Sequence, residues 1–409
     1  MARSRIDIGL LFTTRITRLF AYGALSVVLA LYLAEIGLDT SRIGLLFTLT
    51  LVGDAAVTLI ITTSADRLGR RRSLMLGGAL MALAGTVFLM TRQPALLLVA
   101  AIIGVISPSG NEIGPFLAIE QAGLSQVLPG TRRTHVFAWY NLAGSLATAA
   151  GALCGGLLVQ ALQDGGLAPV DAFRAILFGY ALCGLLMIGW FFYLSPAVEP
   201  SAADEILSVR RRFGLHRSGR VVLRLSALFA LDAFAGGFVI QSIVAYWFYT
   251  QFGLSAAALG TIFFAANLLA GVSALLAARM AARIGLINTM VATHLPSNLL
   301  LCLVPLMPTL PWAVAVLLLR FSISQMDVPT RQSYTMAVVS PDERSAASGV
   351  TAIARSVGAS VSPWLSGLLL AAGFYAAPFF LAGGLKIVYD LLLYRSFRRL
   401  RPPEEGMGK

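Results

Sequence analysis

Ionisable and hydroxyl side chains recur at helical spacing inside stretches that are otherwise apolar. Arg15, Arg18, Tyr22 and Ser26 follow one another at intervals of three, four and four residues, so they share one face of a helix. A charged side chain within a bilayer costs about 2.5 to 3.5 kcal/mol on insertion scales, and such residues mark solute or ion pathways. The predicted chemistry is therefore binding of a polar solute or transfer of a proton. Two further stripes are Thr50, Asp54, Thr58 and Thr62, and Arg320, Ser324, Asp327 and Arg331.

The segment SPSGNEIGPF, residues 107–116, surrounds Glu112 with two prolines and two glycines. A helix interrupted at membrane depth is typical of a binding site, although a simple kink is the alternative. Glu112 has no basic residue within one helical turn, so we expect it to carry a proton, with Asp54 as the second choice. Pairing with Arg15 or Arg18 in space would weaken that assignment. Asp327 has Arg331 one turn away and is expected to organise the site instead.

The composition places these residues in a membrane protein. The chain of 409 residues is 57% hydrophobic and only 12% charged, whereas soluble domains are about a quarter charged. Its apolar stretches are long enough to cross a bilayer as helices, and they lack the alternation of β-barrel strands. We therefore predict an all-α integral membrane protein with twelve spans. The spans are 10–34, 42–64, 73–91, 94–120, 135–161, 173–195, 222–250, 256–280, 286–306, 312–337, 346–370 and 375–396.

The basic residues are concentrated in alternate loops, which predicts the orientation of the chain. The net charge of +12 does not form one basic face, so nucleic acid is not expected as a partner. By the positive-inside rule, both termini and the long middle segment lie in the cytoplasm, and the first span is retained rather than cleaved as a signal. We expect a multi-pass protein of the plasma (inner) membrane. The loops expected outside hold only Arg42, Arg92 and Arg174.

The two halves of the chain repeat each other on either side of a polar segment. ADRLG at 65–69 is matched by AARIG at 281–285, and GALCGG at 151–156 is matched by SPWLSG at 362–367. Two matches in the same order indicate a duplicated six-helix unit. The predicted domains are an N-terminal bundle 1–195, a cytoplasmic linker 196–221, a C-terminal bundle 222–398 and a cytoplasmic tail 399–409.

The loop between spans 2 and 3 resembles the signature of the major facilitator superfamily, Gly-x-Leu-Ala-Asp-Arg-x-Gly-Arg-Lys. Thr62 stands in place of the first glycine of that pattern and Ser64 in place of its leucine. The resemblance covers nearly the whole chain and implies two six-helix bundles related by a pseudo-twofold repeat. The matching residues are Ala65, Asp66, Arg67, Gly69, Arg70 and Arg71.

A second pattern of the same family, Gly-Pro-x-x-Gly-Gly, is typical of its drug/proton antiporters and serves helix packing. Span 5 matches it in part, with Gly151, Gly155 and Gly156, and with Ala152 in place of proline. Span 11 repeats the pattern with Gly349, Gly358, Pro363 and Gly367.

The family signature also implies a conformational latch formed by Asp66, Arg67, Gly69, Arg70 and Arg71. Asp66 would lie against the positive N-terminal end of span 11, and Arg70 would reach Glu120 at the end of span 4. The alternative is that the loop only anchors the topology.

Spans 1, 2, 4, 5, 7, 8, 10 and 11 line the central cavity in this family, which implies a substrate and proton pathway on those helices. Away from it, we expect Lys386 and Asp390 to form a packing pair and His294 to contact Asn298. The predicted pathway residues are Arg15, Arg18, Tyr22, Asp54, Asn111, Glu112, Asp232, Arg320, Asp327, Arg331 and Arg355.

The resulting hypothesis is a secondary transporter that works by alternating access, exports a small organic solute and is coupled to protons. We expect no enzyme activity, no cofactor and no metal, because the sequence carries no HExxH, phosphate-binding glycine loop or cysteine-histidine metal spacing. A monomer in the lipid bilayer is expected. Solute uptake by proton symport is the first alternative, and a transport-inactive receptor or assembly factor is the second.

Overall fold

The protein is all-helical across the part of the chain that the structure describes. The computed structural model describes residues 2–112, 114–128, 130–199, 217–340, 343–398 and 400, and at positions 2, 3, 66, 130–132, 134 and 345 it describes the backbone alone. No strand occurs within these ranges. The predicted all-α fold class is confirmed.

The chain forms two compact units, of which the first comprises Met1–Arg211 and Gln241–Phe264. Helix α10, Ala256–Ile284, starts in this unit. The other helices of the first unit are α1 Ala2–Glu35, α2 Thr40–Leu68, α3 Arg70–Met90, α4 Pro94–Ile103, α5 Phe116–Val127, α6 Gly130–Asp164, α7 Pro169–Phe192 and α9 Gln241–Phe252.

The second unit comprises Arg212–Ile240 and Ala265–Lys409. Most of the predicted linker and tail, residues 200–216 and 401–409, lie outside the described residues. The expected domain boundaries therefore stay a prediction. Besides the end of α10, the helices of this unit are α8 Gly219–Gly237, α11 Leu286–Leu303, α12 Leu310–Ser324, α13 Asp327–Val338, α14 Arg344–Ala371 and α15 Ala377–Phe397.

Two glycines with positive φ end matching helices in the two sequence repeats. Gly69 separates α2 from α3 with φ of 93°, and Gly285 separates α10 from α11 with φ of 86°. Residues with a Cβ rarely adopt this backbone conformation, so glycine is required at both turns. The paired motifs ADRLG and AARIG thus share a physical role, which is to end a long helix and start the next.

The start of α2 is fixed by a side-chain cap. Asp39 accepts a hydrogen bond from the backbone N–H of Arg42 at 2.9 Å and another from the hydroxyl of Ser41. These bonds, that of Ser41 first, hold the pKa of the exposed Asp39 carboxyl below its usual range. The turn between α1 and α2 is therefore ordered by its own polar residues.

Three of the predicted spans are interrupted rather than continuous. The span expected at 94–120 consists of α4 and α5 with an irregular segment at 104–115 between them. The spans expected at 222–250 and 312–337 are likewise split, into α8 and α9 and into α12 and α13. Gly110 and Gly114, both with positive φ, lie in the irregular segment, so the expected helix break around Glu112 is observed.

The helices fit a multi-pass membrane protein by length and composition. Nine helical segments of the described chain are long and apolar enough to cross a membrane, with Gly219–Phe252 counted as one segment. The shorter helix α4 is also apolar. The figure of twelve spans stays a prediction, because the regions 94–120, 312–337 and 346–370 are not among these nine segments.

Glycines bring helices of the first unit into backbone contact. A Cβ added at Gly151 would lie 2.0 Å from the Phe20 carbonyl oxygen, and one at Gly155 would lie 2.8 Å from the Cα of Ala24. Helices α1 and α6 therefore pack with no side chain between them, as small residues allow in membrane proteins. Gly156 faces the start of α10 in the same way, 2.3 Å from the carbonyl oxygen of Ala256.

The second unit repeats this arrangement between α8 and α14. A Cβ added at Gly358 of α14 would lie 2.3 Å from the carbonyl oxygen of Ala230 of α8. At the same helix contact, Pro363 of α14 packs against Gly237 of α8. Gly367 is buried on the same helix. An apolar core containing Phe229 and Tyr389 lies beside this contact and supports the charged residues described below.

The predicted orientation can be tested with single cysteines in a background where Cys154, Cys183 and Cys302 are replaced by serine. Asn288 and Ser255 are exposed at helix turns, and the charge pattern places Asn288 inside and Ser255 outside. We expect an impermeant maleimide to label Ser255→Cys in intact cells and to label Asn288→Cys only after permeabilisation. The reverse labelling would overturn the orientation.

Candidate functional site: two buried charge clusters

The first charge cluster is centred on Arg18 of α1, whose side chain is 0% exposed. Its Nε donates to Glu112 at 2.8 Å, and its Nη1 and Nη2 each donate to Glu120 at 2.8 Å. The guanidinium also lies over the ring of Phe116, 4.4 Å from the ring centroid. A fork of this kind on a carboxylate is the strongest common form of ion pair in proteins. We call Arg15, Arg18, Glu112, Glu120 and Tyr140 the Arg18 cluster.

Glu120 is fully buried and has all its oxygens in use. Besides the two bonds from Arg18, it accepts hydrogen bonds from the hydroxyls of Thr14 and Tyr140. A buried carboxylate costs free energy unless it is paired and hydrogen-bonded, and here both conditions are met. Glu120 therefore ties α5 to α1 and α6.

Glu112 lies in the irregular segment 104–115, with its side chain 15% exposed. Arg15 Nη1 is 2.9 Å from its Oε2, and Arg18 reaches its Oε1 at 2.8 Å. The Arg15 contact is an ion pair without hydrogen-bond alignment, since both atoms lack a hydrogen-bond partner in the described chain. The premise that Glu112 has no basic neighbour is therefore wrong, because Arg15 and Arg18 of α1 reach it. The premise holds only for residues close to Glu112 in sequence.

Asp54 of α2 differs from Glu112 and Glu120. Its Oδ1 is buried with no hydrogen-bond partner, and the structure gives it no ion pair among the residues it describes. Its polar neighbours are the backbone N–H of Gly114 and the hydroxyl of Thr58. The hydroxyl of the fully buried Tyr22 also lacks a partner in the described chain. Asp54 and Tyr22 therefore each carry a buried polar atom that the described chain leaves without a hydrogen bond.

Asn111 is exposed, and its hydrogen bonds are local. Its backbone N–H donates to the hydroxyl of Ser109, and its carbonyl accepts from that of Ser107 at 2.9 Å. The residue shapes the irregular segment rather than entering the Arg18 cluster.

Sequence reasoning missed Gln241 of α9, whose Nε2 donates to Ser26 of the polar α1 face at 2.8 Å.

The loop around Gly69 was expected to contact Glu120, but it binds Glu199 instead. The backbone N–H groups of Arg70 and Arg71 donate to Glu199 at 2.6 and 3.1 Å, and Arg70 Nη1 donates to the carbonyl of Val198. The predicted Arg70–Glu120 pair is wrong, because Glu120 binds Arg18 of α1 with both carboxylate oxygens. Glu199 occupies the N-terminus of α3, where free N–H groups attract a carboxylate. The side chain of Asp66 lies outside the described residues, and Arg67 is exposed.

The second charge cluster surrounds Asp232 of α8, which is buried. Lys386 Nζ lies 2.6 Å from its Oδ1, while Arg331 and Arg355 donate to its Oδ2 at 3.1 and 2.9 Å. Arg331 also binds Asp327 at 2.9 Å, one helical turn away on α13. We call Asp232, Asp327, Arg331, Arg355 and Lys386 the Asp232 cluster.

The expected Lys386–Asp390 pair is wrong, since Lys386 binds Asp232 on another helix. Asp390 instead contacts His294 at 2.8 Å and Asn298 at 3.0 Å. The expected contact of His294 with Asn298 is present at 3.2 Å. Lys386 is thus a member of the cluster that sequence reasoning missed, because its partner lies 154 residues away in the chain.

Arg320 of α12 stands apart from these contacts. Its guanidinium lies 4.9 Å from the ring centroid of Phe321, and its Nε has no hydrogen-bond partner in the described chain. The acid that interacts electrostatically with Arg320 is Asp327, which already binds Arg331.

The profile of the Major Facilitator Superfamily matches residues 11–363 and, in a second alignment, residues 227–408. The chain belongs to the major facilitator superfamily. An uncharacterized membrane protein of Saccharomyces cerevisiae is 31% identical over 416 residues, covering 95% of this chain and 93% of that protein. Major facilitator proteins carry out membrane transport, so the chain is a multi-pass membrane transport protein.

Solved structures share the major facilitator fold at low identity. A bacterial homologue of the human lysosomal transporter Spinster is 16% identical with a TM-score of 0.74, covering 98% of this chain and 99% of that one. A D-xylose–proton symporter is 15% identical with a TM-score of 0.73, covering 95% and 97%. The human organic anion transporter is 18% identical with a TM-score of 0.62, covering 95% and 99%. At these identities the likeness concerns the fold alone.

The Arg18–Glu120 pair of this major facilitator protein can be tested by a double-mutant cycle. Breaking a buried ion pair from one side leaves an uncompensated charge, so Arg18→Gln and Glu120→Gln should each destabilise by about 3 to 5 kcal/mol. Arg18→Gln/Glu120→Gln should lose far less than the sum. Chemical denaturation in detergent micelles, followed by tryptophan fluorescence, measures the three free energies.

Arg70→Gln is the matched control for this cycle. Since Arg70 contacts Val198 and Glu199, its effect should add to that of Glu120→Gln within about 0.5 kcal/mol. Strong coupling of Arg70 with Glu120, or additivity of Arg18 with Glu120, would contradict the observed pairing.

Proposed function

We propose that this protein is a secondary active transporter that exports a small organic solute by alternating access in exchange for protons. The observation that carries the proton coupling is Asp54, a buried carboxylate without a counter-ion among the described residues. In contrast, every acid of the Arg18 cluster and of the Asp232 cluster binds a cationic side chain. Ionisable side chains are costly within a membrane, and they mark the pathways of solutes, ions and protons.

Asp54 is better suited to carry the proton than Glu112. Proton exchange at Glu112 would disturb its contacts with Arg15 and Arg18, and a buried cation left without its acid is strongly destabilising. Asp54 can gain or lose a proton without breaking an ion pair. Its neighbour Gly114 belongs to the irregular segment, so a change in that segment would alter the surroundings of the carboxyl.

The export direction rests on the partial resemblance of α6 to the antiporter pattern. Gly151, Gly155 and Gly156 occupy the positions where α6 meets α1 and α10 without intervening side chains. Proton-coupled uptake of the solute is the alternative within the same fold, and a transport-inactive receptor is the alternative outside it. We further propose the plasma (inner) membrane as location, with both termini cytoplasmic, and a monomer as the working unit.

We keep the loop from Asp66 to Arg71 as a proposed conformational latch, with a changed partner. Glu199 follows α7 and holds the first N–H groups of α3. A carboxylate at a helix N-terminus is bound by about 0.3 to 1 kcal/mol, or more when partly buried. A contact of that size can form and break within a transport cycle.

Proton coupling can be tested in proteoliposomes that contain a pH-sensitive dye. We expect Asp54→Asn to abolish proton movement driven by a solute gradient, because the exchangeable carboxyl is lost, while counterflow exchange of the solute survives. Proton movement opposite to the solute indicates export by antiport, and movement in the same direction indicates symport.

Asp164→Asn is the matched control, since Asp164 is exposed at the end of α6 and bonds only to Gln160 in the described chain. It should leave proton movement unchanged. Normal coupling in Asp54→Asn would sink the assignment, and loss of coupling in Glu112→Gln alone would return it to Glu112. Absence of counterflow in the wild-type protein would favour the receptor alternative.

A further inference from the structure

The Asp232 cluster contains more positive than negative charge. Asp232 alone faces three cationic side chains, Lys386 on Oδ1 and Arg331 and Arg355 on Oδ2. Asp327 compensates Arg331 at 2.9 Å. Lys386 and Arg355 therefore share the single charge of Asp232, and one of them is not neutralised by the described residues around it.

Arg355 is the member of the cluster that is open to solvent. Its side chain is 34% exposed, against 11% for Lys386 and 8% for Arg331. Only its Nη1 takes part in a hydrogen bond, so Nε and Nη2 have no bond to the described residues. A guanidinium offers five N–H donors in a planar fork, and most of that fork is unused here.

No further acid among the described residues pairs with Lys386 or Arg355. Asp390 makes no ion pair with the three cations and is held by His294 and Asn298 instead. Arg320 adds a cation on α12, with its Nε unbonded in the described chain. The second unit thus has an accessible, under-compensated guanidinium at the edge of a buried cluster.

We propose that Arg355 binds an oxyanion group of the transported solute, a carboxylate or a phosphonate, and that Asp232 holds the guanidinium when no solute is bound. The inference rests on the proposed function, because it names the substrate class of that transporter. Planar guanidinium binds such oxyanions bidentately, which gives orientation as well as attraction. When Arg355 turns to the solute, Asp232 keeps Lys386 and Arg331, so no buried charge is left alone.

The test measures the thermal unfolding of the full-length protein in lipid nanodiscs by tryptophan fluorescence. The probes are phenylacetate and benzylphosphonate, with phenylacetamide and phenethylamine as neutral and cationic counterparts, all at the same ionic strength. A ligand that binds the folded state raises Tm. We expect the two anions to raise Tm by about 2 °C or more and the other two probes to leave it unchanged.

Arg355→Gln should remove the rise in Tm for both anions, and Arg355→Lys should keep a smaller rise, since a lysine retains the charge without the fork. Arg42→Gln is the matched control, because Arg42 also pairs with one carboxylate but lies in an exposed turn. It should respond to anions like the wild-type protein.

Equal shifts for phenylacetate and phenylacetamide, or a shift that survives Arg355→Gln, would overturn the inference. A response to benzylphosphonate alone assigns the site to phosphonates, and a response to phenylacetate alone assigns it to carboxylates. Anion binding through Arg355 without any counterflow in proteoliposomes would leave the site in place and refute the transport proposal. Counterflow of the four probes with no preference for the anions would support the transport proposal and refute the Arg355 site.

Discussion

A charge buried inside a membrane protein is costly unless an opposite charge lies within hydrogen-bond distance, and Arg18 meets this requirement on both sides of a broken helix. It binds Glu112 in the irregular segment 104–115 and Glu120 on the helix that follows. The segment carries backbone groups that no regular helix satisfies. Arg18 thus fixes the position of a part of the chain that secondary structure alone would leave undetermined, and Asp54 and Tyr22 owe their surroundings to it.

The same constraint organises the second unit with a different outcome. Asp232 joins α8 to α13, α14 and α15 through one carboxylate and three cations. The Arg18 cluster balances two arginines with two glutamates, whereas the Asp232 cluster has three cations for two aspartates and is most exposed at Arg355. Buried ion pairs add little net stability compared with apolar packing. The proposed transport function gives both clusters a role other than stability.

The sequence predicts most of the helices, because membrane thickness and apolar composition constrain each span strongly. It also predicts the turns at Gly69 and Gly285, since a repeated glycine after a basic helix end has a direct backbone cause. It fails where the partner is chosen by tertiary packing. The family signature suggested Arg70 as the partner of Glu120, yet Arg18 of another helix binds it. Helical spacing suggested Asp390 as the partner of Lys386, yet Asp232 binds it. Spacing along one helix cannot rank neighbours that belong to other helices.

The contact between α1 and α6 has a further consequence for how the first unit is held together. Gly23 faces Thr148, and Gly151 faces Phe20, so peptide groups of the two helices touch directly. Lipid tails are as apolar as the side chains they would displace, so association of these helices depends on van der Waals contact rather than on water exclusion. Such a contact has no opening through which an acyl chain or a detergent tail could enter. Its strength should therefore depend little on acyl-chain length or on the choice of detergent, unlike contacts made by flexible side chains on the outer helix faces.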